Sequence, residues 1–336
     1  MSKQNDPETR KVQLTGGSTY TVSLPKDWAA TQDISPGSMV NLYTAQDQLV
    51  ITNENSVQNQ DHVVIDTHNR GGDDIARRIV AAYVSGAEEI TISGSCDHGE
   101  KRKIRNTITG LVGIEIHEET EEIMVARTML DTDNISVQQT LTQMKLTAVS
   151  MHNAATTAVL TNNSEEPRHI RRQDDDIDRL FRLVCREFQQ TLCDMSVAAE
   201  TDRLSMFDYY TVARQIERIG DHAEKIAAVA DRMSDPPPED VAEQLDTLST
   251  RSRHIVDMAV SGVLDEDSDV ELGDVISDAN SVTADAESLD RDLYEKDITD
   301  SYLLATVLDS IVRTAEYGAN IADAGLQFRM RHAKER

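Results

Sequence analysis

The sequence has few cysteines and no apolar leader, and each absence excludes a class of protein. Its 336 residues include three cysteines, Cys96, Cys185 and Cys193, which form neither a CxxC pair nor an even disulfide framework. Reduced thiols of this kind are typical of the cytoplasm. The first ten residues are polar, so we expect no signal peptide. The sequence therefore predicts a cytoplasmic protein that does not depend on disulfides.

Uninterrupted apolar segments are also lacking. Residues 146–164 contain no Asp, Glu, Lys or Arg, and their length approaches that of a membrane span. The segment nevertheless carries His152, Asn153 and several hydroxyl residues, which are costly to expose to lipid. We therefore predict a buried helix of a bundle and no membrane insertion.

Lysine is the scarcest charged residue, at 9 residues against 24 Arg, 36 Asp and 24 Glu, and the formal net charge is −27. A surface rich in Asp and poor in Lys indicates a protein adapted to concentrated salt, where repulsion is screened within about 3 Å. An acidic, disordered chain is the alternative, but 39% hydrophobic residues in periodic runs argue against it. We predict a folded, halophilic protein of two or three domains.

Residues 8–55 are predicted to form a first domain of short strands and turns. The strands are predicted at 11–14, 20–24, 40–43 and 49–52. Pro25 can open a helical turn over 26–30, because its missing N–H would have no partner at a helix start. Four short strands bury little core, so we expect this domain to pair with a copy of itself.

Residues 61–130 are predicted to form a small α/β domain. Strands at 62–66, 89–93, 112–117 and 123–126 alternate with helices at 73–85 and 101–109. The order β-α-β-α-β-β implies a two-layer sandwich. This segment contains no phosphate-binding loop or catalytic constellation, so we expect it to be a scaffold or a dimerisation unit.

The remaining chain is predicted to be helical and internally repeated. Six helices, at 137–161, 175–193, 206–233, 240–264, 270–296 and 301–330, are divided by three consecutive prolines at 236–238. Adding 95 to the stripe Tyr209, Ala213, Ile216, Gly220, Ala223 and Ala227 gives Leu304, Leu308, Ile311, Ala315, Gly318 and Ala322. Both stripes step alternately by four and three residues, as in antiparallel bundles. We predict two three-helix bundles, at 135–234 and 239–332, which carry most of the negative charge.

Two segments of the chain resemble known families. The run QIERIGDHAEKIA at 215–227 resembles the signature helix of the PhoU family, and RTAEYGANIA at 313–322 resembles its second copy. The runs STYTVSLPKDW at 18–28 and PGSMV at 36–40 resemble the AbrB/SpoVT DNA-binding domain. These resemblances imply a multidomain α+β protein with an N-terminal swapped-hairpin β-barrel, which is dimeric, and a C-terminal pair of PhoU-like bundles. The small α/β domain at 61–130 lies between them.

Two pairs of carboxylates are candidate metal ligands. Glu217 and Asp221 lie four residues apart beside the core stripe, and Asp174 and Asp178 repeat that spacing at the predicted start of the preceding helix. Carboxylates on facing helices build multi-oxygen metal sites. In PhoU relatives the matching Glu-xxx-Asp pair binds metal, so the resemblance implies a divalent or trivalent ion at Glu217 and Asp221.

The second copy departs from this pattern. Val312 occupies the Glu position and Glu316 the Asp position, while Asn320 matches the family. In the first copy, Lys225 replaces the usual Asn and could neutralise Asp221 without a metal. In so acidic a chain, carboxylates four apart also arise by chance. Glu316 and Asn320 are therefore candidates of a second, weaker metal site.

The candidates for DNA contacts lie in the first domain: Arg10, Lys11, Ser18, Thr19 and Lys26. The alternative is that these residues are ordinary surface. Strong net negative charge argues against DNA binding, but counterion release contributes little at molar salt. Specificity would then depend on hydrogen bonds to bases and on DNA shape.

Three functions compete. The leading hypothesis is a homodimeric regulator of phosphate uptake that binds promoter DNA through its N-terminal domain. The second is a protein–protein adaptor that acts on the phosphate ABC transporter or its sensor kinase, with the N-terminal domain serving only dimerisation. The third is a metal-dependent hydrolase, which we disfavour because the sequence shows no nucleophile–base arrangement and no phosphate cradle.

Overall fold

The structure is a computed structural model, and it describes residues 8–45, 48–53, 62–129, 136–163, 167–193, 203–265, 268–295 and 298–332. The described part of the chain is mixed α+β and mostly helical. Its helices include none that is long and apolar enough to cross a membrane.

The described residues of the N-terminal head, residues 8–53, form two separate hairpins and one short helix. Strands β1 (Gln13–Thr15) and β2 (Thr19–Thr21) pair antiparallel, as do β3 (Val40–Ala45) and β4 (Gln48–Asn53), with α1 (Lys26–Thr31) between the hairpins. Gly16 and Gly17, at φ of 63° and 81°, supply the left-handed backbone of the first turn. The positions of these elements agree with the sequence pattern to within three residues.

The head does not bury a core of its own within its described residues. All its described side chains are exposed or half-buried, including the single tryptophan, Trp28. The most exposed apolar residues are Tyr20, Met39, Val12, Leu14, Leu42 and Leu49. The described residues of one chain therefore do not close a barrel, and the predicted swapped-hairpin barrel stays a prediction about two chains.

The α/β unit, residues 62–129, has two layers. Its sheet has the order β5 (His62–Asp66), β6 (Glu89–Ser93), β8 (Ile123–Thr128) and β7 (Ile114–Glu119), in which only β5 and β6 are parallel. Helices α2 (Gly72–Val84) and α3 (His98–Thr109) pack on each other and on the sheet. Helix α3 begins three residues before the predicted start, because Asp97 and Glu100 form a capping box.

Within its described residues, the helical body, residues 136–332, contains six long helices. They are α4 (Val137–Thr161), α5 (Pro167–Cys193), α6 (Arg203–Ala230), α7 (Glu239–Leu264), α8 (Leu272–Glu295) and α9 (Ser301–His332). Helix α6 packs against α4, α5 and α9, and α9 packs against α7 and α8. The start predicted for the second helix, residue 175, was wrong by eight residues, because Pro167 occupies the first turn, where proline is tolerated.

Small residues of the repeat allow close helix contact. A Cβ added to Gly318 on α9 would lie 2.7 Å from Ile255 Cγ2 and 3.2 Å from the Val256 backbone nitrogen on α7. His222 on α6 and Tyr317 on α9, which differ by the repeat length of 95, touch each other with ring centroids 5.6 Å apart. The two repeats therefore meet at equivalent positions.

A buried polar layer joins α4 to α7. Ser249 Oγ lies 2.8 Å from Thr156 Oγ1 and 3.4 Å from His152 Nδ1, and Arg253 Nη1 donates to it at 2.6 Å. His152 is completely buried, and its Nε2 has no hydrogen-bond partner within the described residues. Burial, with nearby Arg253 next in importance, lowers the pKa of His152 to about 3.

Candidate functional site

The four carboxylates predicted as metal ligands lie where α5 crosses α6. We call Asp174, Asp178, Glu217 and Asp221 the carboxylate cluster. Gly220 allows this approach, because a Cβ at that position would lie 3.1 Å from Asp174 Oδ1. Asp174 and Asp178 belong to the interior of α5. The prediction that they lie at a helix start was therefore wrong.

Burial and mutual repulsion perturb the whole carboxylate cluster. Burial, followed by the charges of Asp178 and Asp221, raises the pKa of Asp174 to about 7. The pKa values of Asp178, Glu217 and Asp221 are also raised, in each case chiefly by burial. Perturbed groups of this kind concentrate at functional sites. The cluster is thus the strongest candidate site in the helical body.

The nearby cations offset the repulsion only in part. Arg182 donates a hydrogen bond to Asp178, its neighbour one turn away. The charge of Lys225 lowers the pKa of Asp221, but the nearest polar contact of Lys225 Nζ is His222 Nε2, at 3.5 Å. Lys225 is therefore an electrostatic neighbour of Asp221, without the direct ion pair that would replace a metal.

The donor chemistry of the carboxylate cluster fits a hard cation, which prefers carboxylate oxygens. The described side chains do not, however, gather three or more His, Cys, Asp or Glu groups closely enough to hold one ion. Ion binding at this helix crossing would require side-chain movement. Metal binding therefore stays a prediction.

The candidates of the second copy are engaged elsewhere. Glu316 Oε2 accepts a hydrogen bond from Arg313 Nη1 at 2.7 Å. Asn320 Nδ2 donates to Gln215 Oε1 on α6 at 3.3 Å. Among the described residues, Glu316 belongs to no group of three or more His, Cys, Asp or Glu side chains that could hold one ion.

The candidate DNA contacts all lie in the head. Ser18 and Thr19 are exposed at the β1–β2 turn, and Lys26 is exposed at the first position of α1. Lys11 is exposed before β1, and Arg10 pairs with Glu8. All five residues therefore lie in one small unit of the chain.

Sequence patterns missed Arg186 of α5, which attaches the α/β unit to the body. Its Nη1 donates to the carbonyl oxygens of Tyr83 and Ala87 at 2.8 and 2.9 Å, and its Nη2 donates to Glu88 Oε1 at 2.6 Å. The side chain is 1% exposed and lies over the Tyr83 ring. The sequence places this arginine close to the apolar residues of α5, but that position does not indicate which residues it contacts.

Comparison with known proteins finds similarities for the head and for the helical body. Residues 141–230 match the family described as the PhoU domain. This match covers α4, α5 and α6, so the first half of the helical body is similar to the PhoU domain. A curated relative from Synechocystis sp. (strain ATCC 27184 / PCC 6803 / Kazusa), the phosphate-specific transport system accessory protein PhoU homolog, is 26% identical over 171 residues, which cover 49% of this chain and 75% of the relative.

A solved structure supports the PhoU-like fold of the body. The crystal structure of PhoU from Pseudomonas aeruginosa matches 56% of this chain and 93% of its own, with a TM-score of 0.51 and 22% identity. Residues 13–59 match the family described as "Antidote-toxin recognition MazE, bacterial antitoxin". That match agrees with the AbrB-like resemblance of the head.

The carboxylate cluster gives a test of its electrostatics. Because the folded-state pKa of Asp174 is above its ordinary value of 3.8, the carboxyl destabilises the fold above pH 7, and stability returns as pH falls through 7. We expect Asp174→Asn to raise the Tm at pH 8 in a chelator, by an increment that shrinks at pH 5.5. The matched control is Asp176→Asn, a change to an exposed carboxylate of the same helix. An equal increment at both pH values would contradict this assignment.

Proposed function

We propose that this protein is a regulator of phosphate uptake that couples a DNA-binding head to a PhoU-like sensory body. The observation that carries the proposal is the presence in one chain of a MazE-like segment at 13–59 and a PhoU domain at 141–230. The Synechocystis relative is described as an accessory protein of phosphate-specific transport. That description supports phosphate transport as the regulated process.

The head supports dimerisation through its uncovered apolar side chains. Tyr20 is 78% exposed and Met39 is 70% exposed, in a unit that buries no described residue of its own. Exposed apolar groups at this density indicate an interaction surface. A second copy of the head would cover them and complete a barrel, so we propose a homodimer that doubles each DNA contact.

DNA recognition is assigned to the head's turn and to the start of α1. Ser18 and Thr19 offer hydroxyl groups, while Arg10, Lys11 and Lys26 offer positive charge in a chain that is strongly acidic elsewhere. Phosphate contacts position a protein on DNA, and contacts to base edges specify the sequence. We propose that these five residues make both kinds of contact with a promoter.

Lys26 and Arg10 provide the test of this interface. We expect Lys26→Ala and Arg10→Ala each to weaken binding to promoter DNA about tenfold at working salt, which corresponds to about 1.4 kcal/mol. Fluorescence anisotropy with labelled promoter DNA measures the effect. Lys145→Ala is a matched control, because Lys145 lies on α4, where it pairs with Asp257. Unchanged binding by both head variants would remove these residues from the interface.

An adaptor function is the second candidate. The curated relative is named as an accessory protein of a transport system, which favours contact with transporter components. In this alternative, the body acts on the phosphate ABC transporter or on a regulatory kinase, and the head only dimerises. Deleting residues 1–55 distinguishes the candidates: control of transport that survives without promoter binding supports the adaptor.

We also propose that the carboxylate cluster takes up a divalent or trivalent cation. Glu217 and Asp221 on α6 and Asp174 and Asp178 on α5 would supply its oxygens, and the ion would neutralise their repulsion. The support is the half-buried position of Asp174, Asp178 and Glu217 and the raised pKa values of all four groups. We expect Mn²⁺ to raise the Tm of the wild-type protein, but not that of Glu217→Gln/Asp221→Asn. An equal Mn²⁺ response in the two proteins would contradict the site.

A further inference from the structure

A broad groove separates the α/β unit from the helical body. It lies between helices α2 and α3 on one side and α5 on the other, and has a volume of about 640 Å³. That volume is within the usual range for small-molecule sites. Ala76 and Val80 on α2 contribute apolar surface, and Asn106 and Thr107 on α3 contribute polar groups. The groove can therefore hold a ligand of mononucleotide size.

Three arginines from two different elements line this interdomain groove. Arg77 extends from α2, and Arg179 and Arg182 extend from α5. Within the described ranges, neither Arg77 nor Arg179 has a hydrogen bond or an ion pair to another side chain. This is notable in a chain with net charge −27, where carboxylates greatly outnumber cations. Arg77 on α2 and Arg179 on α5 therefore line opposite sides of the groove, and neither guanidinium group has a side-chain partner among the described residues.

Three acids also line the groove, and among the described residues none of them forms a hydrogen bond or an ion pair with Arg77 or Arg179. Asp73 pairs with Lys103 on α3, and Asp178 holds Arg182. Asp175 and Asp176 line the α5 side and are exposed to solvent. Guanidinium groups match phosphate oxygens in shape and bind them bidentately, which selects phosphate over a spherical anion.

We propose that the interdomain groove binds a phosphate-bearing small molecule of nucleotide size, with Arg77, Arg179 and Arg182 holding its phosphates. The apolar surface of Ala76 and Val80 would lie against the rest of the ligand. This proposal goes beyond the regulatory function above and does not depend on DNA binding.

Arg182 connects the groove to the carboxylate cluster. Its guanidinium lines the groove and donates to Asp178 on the same helix. A bound phosphate would compete with Asp178 for this cation and would increase repulsion among Asp174, Asp178 and Asp221. Occupancy of the groove is thus linked to the site between α5 and α6 through one side chain.

The test is calorimetric titration of full-length protein with ADP in the presence of EDTA. We expect saturable binding that weakens at least tenfold in Arg77→Gln/Arg179→Gln. The matched control is Arg102→Gln/Arg172→Gln, which removes two exposed arginines of α3 and α5 that do not line the groove. Circular dichroism establishes that both double variants fold like the wild type.

The same titration distinguishes the phosphate from the rest of the ligand. We expect orthophosphate to bind at least tenfold more weakly than ADP, and Asp175→Asn/Asp176→Asn to tighten ADP binding by removing repulsion. Absence of saturable ADP binding would overturn the proposal, as would an equal loss in the control variant. Equal affinities for orthophosphate and ADP would overturn the assignment of a nucleotide-sized ligand.

Discussion

Replacing Arg186 by alanine is expected to detach the α/β unit from the helical body. The change removes two hydrogen bonds to the carbonyl oxygens of Tyr83 and Ala87 and one to the carboxylate of Glu88. Breaking a buried charged contact costs about 3 to 5 kcal/mol, and the lower end applies here because Glu88 is 47% exposed and can reach water. We therefore expect the α/β unit to lose about 3 kcal/mol of stability against opening.

Hydrogen exchange is the measurement for this prediction. We expect amides at the C-terminal end of α2 to exchange roughly a hundredfold faster in Arg186→Ala, since 1.4 kcal/mol corresponds to a factor of ten. Arg172→Ala, on the exposed face of α5, is the matched control. Wild-type protection of α2 in Arg186→Ala would show that this arginine does not attach the unit.

Acidification is expected to weaken the contact between the two halves of the helical body. The pKa of His152 is lowered to about 3 and that of His222 to about 4, in both cases chiefly by burial. In the unfolded chain these imidazoles accept protons near pH 6.5. Their contribution to the free energy of unfolding is therefore complete above that pH and declines as the pH falls toward the folded-state pKa values. For His152, the loss between pH 6.5 and 4.5 is roughly 2 to 3 kcal/mol.

The carboxylate cluster acts in the opposite direction, because protonation of Asp174 near pH 7 stabilises the fold as pH falls. The effect of His152 on the pH dependence of stability is therefore measured by comparing a variant with the wild type. We expect the free energy of unfolding of His152→Gln to depend less steeply on pH between 6.5 and 4.5 than that of the wild type. His254→Gln is the control, because His254 is exposed on α7. Identical slopes for wild type and His152→Gln would contradict the account of this layer.

The helical body was the part of the fold most accessible to prediction. The 95-residue repeat places Ala213, Ile216 and Ala223 in the core of α6, and Leu308 and Ile311 in that of α9, and all five are buried. Periodicity succeeds here because a long helix must bury one continuous stripe. The bounds predicted for α4 were also correct.

The contacts of long polar side chains could not be predicted from the sequence in the same way. The spacing of Lys225 and Asp221 on one helix allows an ion pair, yet the nearest polar contact of Lys225 Nζ is His222. Arg186 reaches carbonyl groups about a hundred residues away in the chain. Helical spacing determines which residues share a face, but it carries no information about which surface of another element lies opposite.

Binding to DNA upstream of phosphate-transporter genes, at molar KCl, tests the central claim most directly. The comparison is between full-length protein and a variant that lacks residues 1–55, with folding and oligomeric state measured for both. The regulator account predicts saturable, sequence-specific binding by the full-length protein and loss of that binding in the variant. Absence of specific binding by folded, dimeric full-length protein would contradict the account and would favour an adaptor that acts on the transporter or its kinase.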